Sequence, residues 1–286
     1  MPPGGLVPDW FFTSDLHGQG ALYEELVAVA AARRPGAVLI GGDLCPHASG
    51  AEGIAHQRVF LEGFLVEFAR RLLEGSPSTD LLLMMGNDDW AANMDCLERF
   101  DGDLWTLIHG RVAVVDGVRV AGSSWVPITP FGLKDWERWE DGDAESPARL
   151  NGWVSLGREV VPHAFDPARR TPTIAEALED LATRGAPEET VFVLHSPPSG
   201  TRCDMIGAGA HVGSRAIRRF VERHQPPLVL GGHIHESPRV SASFRDTIGR
   251  TVVVNPGQFG TSRLCGVWFD PTRSSEPMRH TVFGPA

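Results

Sequence analysis

The sequence predicts an α/β protein with buried sheets, and two observations carry that prediction. Short apolar runs recur along the chain, and most of them end in a Gly or a polar cluster. The runs are DWFFTSDLHG (9–18), AVLIGGD (37–43), LLLMMGNDD (81–89), TVFVLHSPP (190–198), PLVLGGHIHE (227–236) and TVVVNPG (251–257). Between them, apolar side chains recur at helical spacing, as at Leu22, Leu26 and Val29. Strands that alternate with helices are typical of this fold class.

The remaining regular elements are predicted from similar local signals. Helical spacing recurs over residues 61–72 and again over residues 217–224. Residues 112–121 form two apolar halves around Asp116-Gly117, a pair that favours a tight hairpin turn. At least one sheet should therefore contain antiparallel strands.

Residues 123–172 break this pattern. They hold half of the eight Trp among many acids, Pro and Gly, namely Trp125, Trp136, Trp139 and Trp153. A long irregular stretch inside a compact domain is usually a functional loop or a lid. The alternative is a small satellite core filled by the Trp rings, and the sequence leaves both open. We therefore predict one domain over residues 1–286, with a Trp-rich irregular insertion at about 123–172.

Composition and charge exclude several classes of protein. The chain has 286 residues, of which 42% are hydrophobic and 22% charged, so it is long enough for a sizeable core. The formal net charge of −10 disfavours broad electrostatic binding to nucleic acid or to an anionic membrane. The Cys are far apart with no CxxC pair, so free thiols in a reducing cytosol are expected. Without a signal-peptide pattern or an apolar run of about 18 residues, a soluble cytoplasmic protein is predicted.

Polar side chains that can bind a metal stand where the apolar runs stop. They are Asp15, His17, Asp43, Asn87, His195, His233 and His235. In an open α/β sheet the carboxyl ends of the strands share one edge, where ligands bind. Taken singly, each Asp could cap a helix and each His could be structural. Helix capping does not require the whole set, so we predict a functional site.

The spacing and chemistry of this set suit metal ions. Residues i and i+2 of a strand point the same way, so the pairs 15/17 and 233/235 could reach an ion together. Two divalent ions roughly 3.5–4 Å apart can share a carboxylate and a hydroxide and hold a phosphoryl group. Asp, Asn and His ligands suit Mn, Fe or Zn better than Ca. We therefore expect two divalent metal ions, which would also supply the positive charge that a phosphate site needs in an acidic protein.

The order of these motifs resembles the calcineurin-like metallophosphoesterases over about residues 9–260. The matching blocks are Asp15-x-His17, Gly42-Asp43, Gly86-Asn87, His195 and Gly232-His233-x-His235. The stretches HSPPSG (195–200), HVGS (211–214), GGHIHES (231–237) and VNPG (254–257) are similar to a bacterial and archaeal branch near the cyclic-nucleotide phosphodiesterases.

The resemblance implies a fold, a ligand assignment and an activity. The fold would be a four-layer α/β/β/α sandwich of two mixed sheets flanked by helices. One ion would be held by Asp15, His17, Asp43 and His235, and the other by Asp43, Asn87, His195 and His233. The activity would be metal-dependent hydrolysis of small phosphate esters, most of all phosphodiesters, by a metal-bound hydroxide. A non-catalytic scaffold on the same fold and a nuclease are the alternatives, and a homo-oligomer is left open.

Two departures from the family pattern concern the acid groups. The family often writes its second block GDxxD, but Pro46 stands at the last position here. The usual third block is GNH, whose His donates a proton to the leaving group, and here that position is Asp88. We expect Asp88 to be catalytic in that place, with His211 as the other source of the proton. A carboxyl is a poorer donor than an imidazole near neutral pH, so good leaving groups should be hydrolysed faster.

Three further residues are candidates for binding the substrate phosphate. Arg202 and Arg215 flank the motif stretches in the sequence and could meet a phosphate, as could His211. Asn87 is expected to contact the substrate as well as a metal ion.

Overall fold

A computed structural model describes residues 9–141, 149–258 and 262–285 of the chain. In those residues the strands are, in chain order, β1 (Trp10–Thr13), β2 (Ala37–Ile40), β3 (Asp80–Leu83), β4 (Thr106–Leu107), β5 (Val112–Val115), β6 (Val118–Ser123), β7 (Val126–Pro127), β8 (Glu137–Arg138), β9 (Asn151–Leu156), β10 (Glu159–Ala164), β11 (Thr190–Leu194), β12 (Met205–Ile206), β13 (Ala210–His211), β14 (Leu228–Leu230), β15 (Arg245–Ile248), β16 (Thr251–Val254), β17 (Gly266–Phe269), β18 (Arg279–His280) and β19 (Gly284–Pro285). The helices are α1 (Gly20–Arg33), α2 (Gly53–Val59), α3 (Val66–Gly75), α4 (Met94–Glu98), α5 (Ile174–Ala182), α6 (Arg215–His224) and α7 (Ser237–Ser241). A π-helical segment lies at Phe60–Leu65, and 3₁₀ turns lie at Ala91–Asn93, Pro187–Glu189 and Gly207–Gly209.

The first large sheet is mixed. Among the described residues it has seven strands in the order β19-β18-β17-β1-β2-β3-β4. Strands β1 to β4 run parallel to one another, whereas β17 pairs antiparallel with β1. Phe11 lies beside Val38, and Val38 lies beside Leu81. These central strands are buried on both faces, which is why they appear in the sequence as continuous apolar runs.

The second large sheet is also mixed. It has six strands in the described part of the chain, in the order β15-β16-β14-β11-β6-β5. Strands β6, β11, β14 and β16 are parallel, and the edge strands β5 and β15 are antiparallel to their neighbours. The predicted hairpin is confirmed, because β5 and β6 pair across Asp116 and Gly117. Both turn residues have positive φ, 51° and 80°, as a tight two-residue hairpin turn requires.

The sheets and helices form four layers. Phe12, Leu39, Val193 and Leu230 belong to the core between the two sheets. A second core packs α1 and α3 on the outer face of the first sheet, and a third packs α5 and α6 on the second sheet. The predicted α/β class, with two mixed sheets flanked by helices, is confirmed.

One predicted helix is wound differently from the expectation. The apolar spacing over 61–72 predicts a regular α-helix, but the π-helical segment joins α2 to α3 within it. The predicted apolar face is nevertheless inward, since Leu61, Leu65, Phe68 and Leu72 are all buried. The π-helical segment alters the winding of the helix but leaves its apolar face packed against the core.

The Trp-rich segment has its own regular structure. Strands β7 and β8 pair within it, and β9 and β10 form an antiparallel hairpin. Residues 142–148 of this segment lie outside the described residues, as do residues 1–8 and 286 of the predicted single domain. The described helices include none that is both long and apolar enough to cross a membrane. All four Cys are free thiols with buried side chains.

Candidate metal centre

The predicted ligands follow parallel strands of the two large sheets. They are Asp15 and His17 after β1, Asp43 after β2, Asn87 after β3, His195 after β11, and His233 and His235 after β14. Backbone hydrogen bonds join neighbouring loops: His17 N–H donates to the Asp43 carbonyl at 2.9 Å, and Gly232 N–H donates to that of His195 at 2.9 Å. The carboxyl ends of five strands therefore bring the set together, as predicted from the sheet-edge rule. We call these seven side chains, as candidate ligands, the metal centre.

Four of these residues have an unusual backbone conformation. Asp15, His17, Asp43 and His233 have positive φ angles of 60°, 44°, 52° and 62°. Such a conformation costs a residue with a side chain about 1 kcal/mol or more, and it persists where the surroundings impose it. Strands β1 and β14 have already ended before these positions. The expectation that i and i+2 alternation along a regular strand aims the side chains is therefore wrong, because left-handed turns aim them.

One group of ligands surrounds the position expected for the first ion. Ligand atoms of Asp15, His17, Asp43 and His235 all lie within 4.8 Å of one another. The Nε2 atoms of His17 and His235 are 3.2 Å apart. His235 Nε2 is 3.4 Å from Asp15 Oδ1, and His17 Nε2 is 3.7 Å from Asp43 Oδ2. Converging imidazole and carboxylate donors of this kind suit a divalent cation.

A second group of ligands meets at the same Asp43 carboxylate. His195 Nε2 is 3.4 Å from Asp43 Oδ2 and 3.0 Å from Asn87 Oδ1. His195 Nδ1 lies 2.8 Å from the Gly41 carbonyl, a contact that orients the ring with Nε2 toward the site. The ring of His233 is 5.3 Å from that of His195, centroid to centroid. Asp43 Oδ2 is thus shared between the two groups.

The charges of the two groups fit bound cations. Burial would raise the pKa of Asp43, but His195 and His17 outweigh it and hold that pKa well below its usual range. Burial works against protonation of His195 and His235, yet Asp43 and Asp15 respectively raise each pKa to about 9. The buried carboxylates therefore demand positive charge, and without metal the imidazole protons supply it. Divalent cations would replace those protons on binding.

Glycines in the motifs allow the backbone to approach the ligands. A Cβ at Gly86 would lie 2.3 Å from Asp43 Oδ1 and 2.7 Å from His195 Cε1. At Gly232 it would lie 2.5 Å from Asp15 Oδ2. Any side chain at either position would displace a ligand. This explains why Gly precedes Asn87 and His233.

The acids that follow Asn87 have separate tasks. Asp89 is fully buried, and its carboxylate accepts hydrogen bonds from the backbone N–H of Gly86, Leu44 and Cys45 at 2.8, 3.0 and 2.8 Å. It ties the loop after β3 to the loop after β2. Burial, with the nearby charge of Asp43, raises the pKa of Asp89 to about 7. The sequence motifs assign Asp89 no role, since its backbone partners cannot be read from a motif.

Asp88 lies at the mouth of the centre beside an unpredicted histidine. Its backbone N–H donates to Asp43 Oδ1 at 2.8 Å, and its Oδ2 is 2.6 Å from His47 Nδ1. The His47 ring stacks on His17 at 4.2 Å between centroids, and its side chain is 69% exposed. The hydrogen bond to Asp88 raises the pKa of His47. The sequence contains a signal for this residue, because His47 directly follows Pro46, the position at which the family pattern often has an Asp.

The structure does not bring the other predicted residues to the centre. His211 is exposed and pairs through Nδ1 with Asp204 Oδ1 at 2.7 Å. The backbone of Arg202 bonds to Asp246, and Arg215 is an exposed residue at the start of α6. His211, Arg202 and Arg215 do not line the cavity described below. For Arg202 and His211 the reason is the buried carboxylate of Asp204, which folds the 200–213 loop around itself, whereas the backbone N–H of Arg215 donates to Glu140.

A cavity of about 960 Å³ opens onto the metal centre. Asp43, Asn87, His233 and His235 line it on the metal side, with Asp88 and His47 beside them. The lining also includes four apolar side chains that we call the aromatic wall: Phe131, Leu133, Trp153 and Val160. The cavity is within the size range typical of small-molecule sites.

The Trp rings of the Trp-rich segment lie in two different environments. Trp136 and Trp139 are only 5% and 4% exposed, and Trp136 belongs to the core beneath the first sheet. Its Nε1 donates to the Asp89 carbonyl at 2.8 Å. Trp153 is 47% exposed and lines the cavity. Some rings therefore fill a core, and another faces the site.

The family of the chain follows from its sequence. The calcineurin-like phosphoesterase family profile matches residues 11–237, and the chain belongs to that family. Members are dimetal-dependent and act on small phosphoester substrates. A comparison with curated proteins finds no match.

Solved structures resemble this fold at low sequence identity. One crystal structure superposes with a TM-score of 0.64 at 16% identity, covering 97% of this chain and 99% of that chain. The protein TT1561 of Thermus thermophilus superposes at 0.57 with 17% identity, covering 97% and 99%. A dimetal phosphatase from Danio rerio gives 0.49 at 12% identity, covering 99% and 97%, a superposition too loose to bear on function. The first two show a shared fold alone.

Proposed function

We propose that this protein is a metal-dependent hydrolase of phosphate esters and that phosphodiesters are its substrates. The observation that carries the proposal is the meeting of seven candidate ligand side chains, Asp43 among them, at the edge of the cavity. Two divalent ions, of which Mn, Fe or Zn suit these donors, supply Lewis acidity and lower the pKa of water when bound. The backbone strain at four ligands agrees with a functional role.

The ligands divide into two sets that share one residue. Asp15, His17 and His235 would hold the first ion, and Asn87, His195 and His233 the second. Asp43 would serve both ions, because its Oδ2 lies within 3.7 Å of His17 and 3.4 Å of His195. Burial, with the charge of His195, lowers the pKa of His233 to about 3, so this ring offers a neutral nitrogen.

The other polar residues at the cavity would handle the substrate. Asn87 and Asp88 line it, and Asp88 occupies the position from which the family donates a proton. His47 pairs with Asp88 and adds a second polar side chain there. Since Arg202, Arg215 and His211 lie outside the cavity lining, we assign them no contact with substrate.

Two alternatives are less well supported. A non-catalytic scaffold would have no need of four strained ligand residues around one carboxylate. A nuclease would need basic side chains along a nucleic acid, and the cavity lining within the described ranges contains no Lys or Arg. The net charge of −10 works against a nuclease as well.

A hydrolysis panel tests the proposal. The protein would be analysed for metal as purified and then assayed with Mn, Fe, Zn, Ni and Mg on three substrates. These are a cyclic nucleotide diester, bis(4-nitrophenyl) phosphate as a linear diester, and 4-nitrophenyl phosphate as a monoester. We expect bound metal and faster turnover of a diester than of the monoester. Bound metal with no hydrolysis under any condition would favour the scaffold, and a preference for the monoester would contradict the diester assignment.

A further inference from the structure

The aromatic wall places large apolar side chains in contact with solvent. Trp153 is 47% exposed and Phe131 is 54% exposed, although residues of this size are usually packed inside. Both line the cavity, together with Leu133 and Val160, and the lining also includes four side chains of the metal centre. An exposed apolar surface that adjoins a reactive centre is typical of a ligand-binding surface.

The backbone beneath the wall is held firmly. Trp153 N–H donates to the Gly132 carbonyl at 2.8 Å, and Lys134 N–H donates to the Trp153 carbonyl at 2.8 Å. Lys134, the only lysine, is buried, and its Nζ bonds to Glu137 Oε2 at 2.6 Å and to the Thr129 carbonyl at 2.7 Å. Because the backbone is fixed, the exposed rings lose little conformational entropy when a ligand contacts them, and this favours binding.

A second set of bonds ties the wall to the metal centre. The Asp135 carboxylate accepts from Ala91 N–H at 2.9 Å and from Ser155 N–H at 2.7 Å. Ser155 Oγ accepts in turn from Ala92 N–H at 2.9 Å. These bonds join β9, which carries Trp153, to the chain just beyond Asn87. The structure therefore sets the distance between the rings and the metal ligands.

The charges that line the cavity restrict the substrate further. Asp43, Asp88 and Glu236 contribute to the lining, and in the described parts of the chain no Lys or Arg does so. Bound cations at the metal centre would compensate one phosphate group. A second phosphate or a carboxylate on the organic part of the substrate would face Asp88 and Glu236, and His47, which could balance it, is already paired with Asp88.

From this arrangement we infer that the aromatic wall binds the organic part of the substrate, and that this part is a flat, uncharged aromatic group. The substrates would then be singly charged phosphodiesters with an aryl or base-like ring on one side. Stacking of that ring against Trp153 and Phe131 would orient the phosphate toward Asp43. This inference rests on the proposed hydrolase function and narrows its substrate class.

The test compares inert analogues that differ only in the ring. Methyl phenylphosphonate and methyl methylphosphonate are both single anions, and each would be measured as a competitive inhibitor of bis(4-nitrophenyl) phosphate hydrolysis. We expect the phenyl analogue to bind roughly 10-fold more tightly, since aromatic burial and ring contact are lost with the methyl analogue. Trp153→Ala should remove most of this preference, and Trp153→Phe should restore it. Phe283→Ala is the matched control, because Phe283 is 50% exposed and does not line the cavity.

A binding measurement makes the test independent of turnover. Tryptophan fluorescence of the wild type should change on titration with methyl phenylphosphonate, and Trp153→Phe should lose that change. A 4-carboxyphenyl analogue, with one more negative charge, should bind several-fold more weakly than the phenyl analogue. Equal binding of the phenyl and methyl analogues by an active wild type would overturn the inference and leave the hydrolase function standing. Selective binding of the phenyl analogue without hydrolysis of any ester would support the wall and overturn the hydrolase function.

Discussion

The metal centre and the aromatic wall line the same cavity, yet they are encoded in different ways. Each ligand of the centre follows a buried strand at a short, fixed spacing, so local sequence motifs reveal it. The wall combines Phe131 and Leu133 from a loop with Trp153 and Val160 from a hairpin. Its position depends on the backbone of Lys134, which bonds to Trp153, and on the Asp135 carboxylate, which bonds to Ala91 and Ser155 in other segments. The candidate metal ligands are thus visible in local sequence motifs, whereas the proposed substrate-binding wall depends on contacts between distant segments.

Removal of the shared carboxylate should have the largest effect. Asp43 lies between both ligand groups, so Asp43→Ala should reduce bound metal to one ion or none and lower kcat on the order of 10³-fold or more. Metal analysis and turnover of a nitrophenyl diester would measure this. Asp204→Asn is the control, since Asp204 is equally buried and does not line the cavity. Two ions and full activity in Asp43→Ala would contradict the dinuclear centre.

The same contrast explains what the sequence could predict. The strand ends, the seven ligands and the β5–β6 hairpin each have a signal within a few residues, and the fold class follows from them. Asp89 could not be predicted as a tie between loops, because its partners are backbone N–H groups of residues 44 and 45. The burial of Lys134 was equally inaccessible, since Lys is nearly always exposed unless it is paired. The position of His47 beside Pro46 was visible in the sequence, but its contact with His17 was not, because the two rings come from different loops.

The side chain at position 88 should control how strongly kcat depends on the leaving group. The sequence alone predicts a marked preference for nitrophenyl over alkyl esters, because a carboxyl stands where the family has a His. The structure adds His47, whose Nδ1 contacts Asp88 and whose exposed ring, when protonated, can donate a hydrogen bond from Nε2. The preference, measured as a ratio of kcat values, should therefore be greatest in His47→Ala, smaller in the wild type and smallest in Asp88→His. The full spread should be about 10²-fold.

Asp95→His serves as the control for that series, because Asp95 is exposed and does not line the cavity. Equal slowing of nitrophenyl and alkyl esters by His47→Ala would show that this ring has a structural task. A wild type without any leaving-group dependence would contradict the assignment of Asp88.

The buried Trp136 should contribute mainly to stability and the exposed Trp153 mainly to substrate binding. From the sequence the two residues are expected to act alike, whereas the structure buries the first and exposes the second. Trp136→Ala should cost about 3 kcal/mol of unfolding free energy, since it leaves a cavity and an unpaired carbonyl at Asp89. Trp153→Ala should cost less than about 1 kcal/mol and act mainly on KM. Denaturant unfolding and steady-state kinetics of both variants would measure this, and a larger stability loss in Trp153→Ala would refute the division.

The smallest expected effect is a pH dependence of the metal-free protein. The pKa of His195 and of His235 is raised to about 9 by Asp43 and Asp15 against the effect of burial, whereas an unfolded His has a pKa of about 6.5. A raised folded pKa adds stability that is fully present below the unfolded value and is lost as pH rises through the folded value. The Tm of the metal-free wild type should therefore fall by a few degrees between about pH 6.5 and 9. Burial also raises the pKa of Cys45 and Cys203, and this contributes a similar trend. The comparison is therefore with the metal-free double variant His195→Gln/His235→Gln, which retains the Cys.

A steeper fall of Tm in the wild type supports buried carboxylates whose charge is balanced by protonated imidazoles in the absence of metal. Identical slopes of Tm against pH would show that His195 and His235 are neutral in the metal-free protein, and the negative charge of Asp15 and Asp43 would then need another counter-charge.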